Sequence, residues 1–182
     1  DANISRVVCA MTDPNPKVSG KGIEILRNNG IDVEVGLLED EARKLNTFFL
    51  TRQTKKRPFV ALKIAQTLDG KTASQSGKSQ WITGEKARNH GHFLRHKYMG
   101  ILAGINTVLA DDPMLNCRFD ESLSDNTNPE YEILKNDVSK PALRNPFRII
   151  LDSKLSIPLD SKIAKSSAEI KTIVVTSKDS FG

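Results

Sequence analysis

Residues 60–74 read V-A-L-K-I-A-Q-T-L-D-G-K-T-A-S, residues 76–84 S-G-K-S-Q-W-I-T-G, and residues 106–113 N-T-V-L-A-D-D-P. The apolar run Phe59 to Ala65 predicts a strand. Lys63 interrupts it. A charged ammonium among apolar neighbours is expensive unless it meets a cavity or an anion, whereas on an edge strand it reaches solvent. Asp69-Gly70 is a tight-turn dipeptide, beside which the hydroxyls of Thr72 and Ser74 are expected to point into one concavity. Gly77-Lys78-Ser79 imitates the end of a phosphate loop. That motif needs glycine where Thr72 stands, so nucleoside triphosphate hydrolysis loses its support. Trp81, the single tryptophan, lies between a polar turn and a helix start, where it either stacks on a heteroaromatic ring or plugs the edge of the core. Ser79 precedes it in the same polar turn.

A helix is predicted from Thr83, its N-cap, to Tyr98, burying Ala87, Gly91, Leu94 and Tyr98 and presenting Lys86, Arg88, Arg95 and Lys97 as a cationic face. Its free N–H groups near Thr83 and Gly84 are a generic place for anionic ligand groups. The Arg95 fork suits phosphate or a neighbouring carboxylate. His92 and His96 have the one-turn spacing used by zinc sites, but Phe93 stands where a metalloprotease places glutamate and no further ligand cluster follows. His90, His92 and His96 are therefore expected to be solvated. The run G-I-L-A-G-I at 100–105 is apolar throughout, as parallel strands buried on both faces tend to be. Asn106 and Thr107 open a short helix at its carboxyl end, the usual ligand side of such sheets. Asp111 and Asp112 close that helix, with Asp112 expected to be held extended by Pro113.

Upstream, R-V-V-C-A-M predicts a strand, G-K-G-I-E-I-L-R-N-N a helix closed by Gly30, and I-D-V-E-V-G a second strand, after which Leu38, Ala42, Leu45 and Phe49 restore helical spacing. Two short strands and their helices leave sheet edges unpaired, so residues 1–51 are expected to be the end of a larger domain. The basic stretch ending at Pro58 predicts a joint at 52–57 ahead of a second unit, 58–182. Phe119 to Arg144 is polar with little periodicity and is expected to be a mobile surface insertion. The strands P-F-R-I-I-L-D-S and E-I-K-T-I-V-V-T-S, with a short helix near Ser161 to Ser166 between them, continue the alternation.

Composition excludes little beyond a membrane span. Across 182 residues, 38% are hydrophobic and 27% charged, and no apolar run approaches the roughly 20 residues of a bilayer crossing. The chain opens without a secretory leader, so a cytoplasmic place and no membrane partner are expected. Cys9 and Cys117 stand far apart without zinc-ligand spacing, which predicts free thiols and no metal site. The 27 Lys+Arg against 22 Asp+Glu give a net charge of +5, which suits a phosphorylated ligand. The charges are spread along the chain and form no arm, so nucleic acid is not an expected partner.

Taken together, Arg57-Pro58-Phe59, V-A-L-K-I-A-Q-T-L-D-G-K-T-A, S-G-K-S-Q-W-I-T, the helix carrying Leu94-Arg95, T-V-L-A-D-D-P-M-L-N-C-R and R-I-I-L-D-S resemble the reductase domain of the bifunctional riboflavin-biosynthesis deaminase/reductase family. M-T-D-P-N-P-K-V-S-G-K-G and G-I-D-V-E-V-G look like the last third of that family's deaminase domain. The resemblance implies an α/β class: a deaminase-like remnant followed by a dihydrofolate-reductase-like domain with a mainly parallel sheet. It implies an NADP-dependent oxidoreductase that uses NADPH to reduce the ribosyl group of 5-amino-6-(5-phosphoribosylamino)uracil to ribityl, in a protein whose other domain is a zinc-dependent pyrimidine deaminase.

By position, the resemblance makes Lys63 and Asp111 catalytic, places Ala65, Trp81, Thr107, Asp111 and Ser153 against NADP, and places Ser79, Arg95, Leu115 and Arg118 against substrate. Two arginines would clamp the phosphate, and Lys63, buried in its strand, would donate a proton as the sugar ring opens. A homo-oligomer, dimer or higher, is implied as well. The deaminase signature H-x-E followed by P-C-x-x-C is absent, so these residues are expected to bind no zinc and carry no deamination. The family's glycine-rich segment late in the reductase domain would lie beyond Gly182, and the chain is expected to be an interior fragment. Two other readings remain open: a free-standing dihydrofolate-reductase-like pterin or pyrimidine reductase, which would lack the deaminase-like residues 1–50, and a noncatalytic basic module, which steep salt dependence on arbitrary DNA would reveal.

Overall fold

The computed structural model describes residues 3–124, 131 and 143–180, and the chain divides into two compact units, 1–62 and 63–182. In the first, β1 (Arg6–Cys9) and β2 (Asp32–Val35) pair in parallel, Arg6 opposite Asp32 and Cys9 opposite Val35. Parallel neighbours need a crossover, and α1 (Lys21–Asn28) supplies it. Gly20 (φ 78°) leads into that helix and Gly30 (φ 75°) closes it, both with the left-handed backbone that glycine adopts without penalty. Two helices follow, α2 (Glu39–Leu45) and α3 (Thr47–Lys55). They part at Asn46, whose Nδ2 donates to the Ala42 carbonyl at 2.9 Å and ends the first helix. Helix therefore runs through most of the stretch expected to be a joint, as far as Lys55. Val33 is the one buried residue among those described in this unit, which is what so small a sheet can cover.

In the second unit, β3 (Gly100–Gly104), β4 (Phe147–Leu151) and β5 (Thr172–Val175) form a parallel sheet in that order, ending in register at Gly104, Leu151 and Val175. This is the parallel α/β architecture that the alternation predicts. α5 (Ile105–Asp111) leaves β3 directly, and α6 (Lys162–Lys165) joins β4 to β5, with Ser161 Oγ accepting from the Ala164 N–H as its cap. Val108, Leu115, Ile150 and Ile163 form the core here, with Ile101, Ala103, Ile105 and Ile157 packed against it. The pleat sends Leu102, Phe147, Leu151, Ile173 and Val175 to the other face, where they stay exposed. β3 is thus covered on one face among the described residues, against the expectation of burial on both.

Arg148 is fully buried in the middle strand. Its guanidinium donates to the carbonyls of Met114 (3.1 Å), Ile163 (3.0 Å) and Ile170 (2.9 Å) and to the hydroxyls of Ser166 (2.8 Å) and Thr172 (2.9 Å). One side chain thereby ties β4, β5, α6 and the chain after α5 together, with every hydrogen-bond direction of the fork in use.

α4 (Glu85–Lys97) starts after Gly84 with no side-chain cap, so Thr83 is not the N-cap. It buries Asn89 and Phe93 in place of the expected stripe of Ala87, Gly91, Leu94 and Tyr98. The reason is aromatic: Phe93 packs on Phe119 and Tyr131, ring centroids 5.6 and 4.8 Å away, and removes far more apolar area from water than Ala87 or Gly91 offers. Phe119 and Tyr131 belong to the segment expected to be a surface insertion, so part of it is core; residues 125–130 and 132–142 of that segment lie outside the described residues.

The largest departure is at 59–65. The predicted strand has no ladder partner among the described residues, and Val60, Leu62 and Ile64 are exposed at 72%, 83% and 56%. Apolar composition makes a segment fit for a sheet, but the ladder itself must come from another strand.

Candidate active site

Along α4, Arg88, Gly91 and Arg95 are spaced i, i+3, i+7 and share one stripe. The first two meet residues the sequence picks out. The Arg88 guanidinium sits 4.4 Å from the centre of the exposed Trp81 ring. At Gly91 the Lys63 side chain lies alongside the helix, its Cε at an ordinary contact distance of 4.0 Å from where a Cβ would stand. Arg95 Nη1 donates to the carbonyl of Asn116 at 2.9 Å, while Arg118 Nη1 donates to the Asn116 side-chain oxygen at 2.6 Å. Asn116, which sequence reasoning missed, therefore holds both guanidiniums by different atoms.

The chain reaches this point by a sharp exit from α5. Asp112 takes left-handed backbone (φ 39°), not the extended form expected before Pro113, and its carboxylate accepts the Lys162 N–H at 2.8 Å with the Lys162 ammonium 3.5 Å away. That hydrogen bond, between residues 50 positions apart, is a tertiary contact that helps hold a left-handed non-glycine residue in place. The Met114 carbonyl is then held by Arg148, and Leu115, also left-handed (φ 49°), buries its side chain in the core. Leu115 can face a ligand through its backbone alone. Asn116 and Arg118 follow on a segment fastened on both sides.

Charge at this point is uncompensated. Burial first, then the neighbouring Arg118, pushes the Arg95 guanidinium below its ordinary value, with Cys117 acting the other way. No carboxylate stands within ion-pair distance of Arg95 or Arg118 among the described residues. His92 lies between them: its Nδ1 accepts the Arg118 backbone N–H at 3.1 Å and is 3.4 Å from Arg95 Nη1. Burial, then Arg95, then Arg118 lower its pKa to about 4. The solvated histidines expected on α4 are all engaged, with His90 Nδ1 on the Tyr131 hydroxyl (2.8 Å) and His96 Nδ1 accepting the Arg144 N–H (3.0 Å).

Other predicted residues follow the carboxyl ends of two parallel strands: Thr107 is exposed near the start of α5, just after β3, and Ser153 is exposed just after β4, while Asp111 is exposed at the far end of α5. Beside them Asp152 is buried and braces the turn: its oxygens accept from the Ser156 hydroxyl (3.0 Å) and the Ile157 N–H (2.8 Å). Burial pushes that carboxyl up, and hydrogen bonds from Ser156, Ile157 and Lys154 outweigh it, holding it below the usual carboxylate range. At the end of β5, Thr176 Oγ1 is buried without a hydrogen-bond partner among the described residues.

Lys63 is exposed, not buried in a strand, and Ala65 and Ser79 are half-buried. Two turns of like build follow Lys63. In each, a hydroxyl residue (Thr67, Ser74) accepts the N–H of a lysine four positions on (Lys71 at 2.9 Å, Lys78 at 3.2 Å), with glycine (Gly70 φ 79°, Gly77 φ 78°) just before it. The hydroxyls of Thr67 and Ser74 thus close turns. Among the described residues no three His, Cys, Asp or Glu side chains come together as a metal cage, and no helix is long and apolar enough to cross a membrane.

A model of the RibD C-terminal domain matches residues 58–180. The chain belongs to that family. Over 178 residues it is 45% identical to the riboflavin biosynthesis protein RibD of Aquifex aeolicus (strain VF5), a match covering 98% of this chain and 44% of that protein. RibD of Escherichia coli (strain K12) is 41% identical over 168 residues, 92% of this chain and 44% of that protein. Among solved structures, the diaminohydroxyphosphoribosylaminopyrimidine deaminase/5-amino-6-(5-phosphoribosylamino)uracil reductase of Thermotoga maritima superposes with a TM-score of 0.74 at 43% identity, covering 95% of this chain and 43% of that one. RibD of Acinetobacter baumannii superposes with a TM-score of 0.74 at 38% identity, covering 99% of this chain and 46% of that one. The chain therefore spans under half the length of the RibD proteins it matches, and its residues 58–180 match the C-terminal domain of that family, in a fold of the dihydrofolate-reductase-like class.

Proposed function

We propose that residues 58–182 carry the reductase half of a bifunctional riboflavin-biosynthesis enzyme, reducing the ribosyl group of 5-amino-6-(5-phosphoribosylamino)uracil to ribityl, and that residues 1–51 end its deaminase half. The observation that carries this reading is the pair Arg95 and Arg118, both hydrogen-bonded to Asn116, with no carboxylate within ion-pair distance among the described residues. Two forks without a counter-ion are a phosphate site in both charge and geometry.

Lys63 lies against α4 at Gly91, one turn from Arg95, and positions one turn apart on a helix are neighbours. A phosphate held by the arginines thus puts the attached sugar near the ammonium. Nζ of Lys63 gives its proton to the ribosyl ring oxygen as the ring opens. NADPH, when bound, supplies the hydride. Residues suited to holding it are present: Thr107 and Ser153 follow the carboxyl ends of β3 and β4, Asp111 closes α5, the Thr176 hydroxyl, without a hydrogen-bond partner among the described residues, follows β5, and the exposed Trp81 offers a face for a planar ring. Ala65, Ser79 and the Leu115 backbone complete the proposed lining.

The test is NADPH oxidation by the protein in the presence of the phosphoribosylamino substrate. Substrate-dependent oxidation is expected, with Arg95→Ala and Arg118→Ala raising the substrate KM while leaving NADPH affinity near its normal level. Absence of substrate-dependent oxidation by the unmodified protein overturns the proposal.

A further inference from the structure

α4 grips residues 116–120 by their backbone. Asn89 donates to the Asp120 carbonyl (2.7 Å) and accepts the Asp120 N–H (2.9 Å), His92 accepts the Arg118 N–H (3.1 Å), and Arg95 donates to the Asn116 carbonyl (2.9 Å). Steps of three along the helix thus meet steps of two along a chain running the opposite way. Of the three contacts, the middle one fixes the backbone of a residue whose side chain faces solvent and carries a charge, Arg118.

We infer that His92 is a positioning residue for the phosphate site: its unprotonated Nδ1 holds the Arg118 backbone so that the Arg118 and Arg95 guanidiniums meet one anion together. The inference rests on the reductase reading above. An Nδ1 that accepts a hydrogen bond leaves the ring proton on Nε2. The groups facing the ring are Arg95 from α4, and from the opposite chain Arg118, the Asn116 carbonyl and Cys117, whose Sγ donates to the His92 carbonyl at 3.3 Å; Lys63 lies beside the adjacent Gly91. The charged groups in this set are all cationic, so they oppose a proton on His92 and keep its lone pair available. Protonation would remove the acceptor and add a third positive charge.

The experiment compares His92→Asn, whose Oδ1 can replace Nδ1 as acceptor, with His92→Leu, which fills similar space without one. In the unmodified protein, nitrogen NMR of the His92 ring at neutral pH is expected to show the Nε2–H tautomer with Nδ1 accepting; the Nδ1–H tautomer overturns the inference, whether or not any variant folds. His92→Leu is expected to speed hydrogen exchange at the Arg118 amide and to weaken binding of ribose 5-phosphate about tenfold, the scale of one misplaced charge-assisted hydrogen bond. The substrate KM rises with it, while kcat and NADPH affinity change little, and His92→Asn recovers most of the loss. A folded His92→Leu that binds ribose 5-phosphate normally, or a His92→Asn as weak as His92→Leu, overturns the inference. If the unmodified protein neither binds ribose 5-phosphate nor oxidises NADPH with substrate, the reductase reading falls, while the ring tautomer and the Arg118 amide still report on His92 by themselves.

Discussion

Arg95 and Asn116 are joined by a 2.9 Å hydrogen bond from the guanidinium to the backbone carbonyl, and this bond leaves the Asn116 side chain free to take Arg118. A single residue thereby sets the spacing of two like charges. Like charges at close range raise each other's energy, and binding an anion relieves that energy.

Replacement of Asn116 separates the two contacts. Asn116→Ala keeps the carbonyl for Arg95 and releases Arg118, so the substrate KM should rise roughly threefold to tenfold with NADPH affinity unchanged. Asn116→Asp should bind substrate more weakly still, because a carboxylate between the guanidiniums competes with phosphate, yet its melting temperature should equal or exceed that of the unmodified protein. Steady-state kinetics and thermal melts check both halves.

Arg148→Met should lower stability by about 3 kcal/mol or more, since it removes all the hydrogen bonds that one buried fork donates to three carbonyls and two hydroxyls. Arg148→Lys should recover little, because a point charge cannot reach partners spread around a plane. Denaturant titration measures the difference.

Asp152 predicts an acid limb of the stability curve. Its carboxyl is held below the usual range in the folded protein, so its contribution is full above the unfolded value of about 3.9 and fades as pH falls through the lower folded value. Asp152→Asn should be less stable at neutral pH and converge on the unmodified protein in strong acid, as followed by denaturation at stepped pH.

His92 predicts a slope at milder pH. Unfolded, the ring titrates near 6.5, and folded near 4, so between these values the unfolded chain binds more protons and stability falls as pH is lowered. Below about 4 both states are protonated and this contribution is exhausted. His92→Asn should flatten the stability profile across that interval.

The strand-helix order of residues 100–111 and 147–175 was legible in the amino-acid sequence, because a parallel strand followed by a helix is written in local spacing and in residues such as Gly104 and Ser161 at the junctions. Lys63 stood out as a charge in an apolar run, whereas Arg95 was read as part of a cationic helix face and Arg118 entered through the family resemblance. The argument made for Lys63, a charge inside an apolar strand, applies with greater force to Arg148, which the structure buries completely.

Local pattern by itself determined that this chain is α/β, with parallel strands alternating with helices. The tertiary structure alone decided the rest: that Phe93 turns α4 toward Phe119 and Tyr131, that Lys63 lies exposed beside Gly91, that residues 59–65 have no ladder partner among the described residues, and that Asn116 and His92 join the arginines. Periodicity records which face of a segment avoids water, a property of neighbours three or four residues apart. The partner of a hydrogen bond or an aromatic ring is set by residues twenty to forty positions away, and nothing in the local spacing encodes that choice.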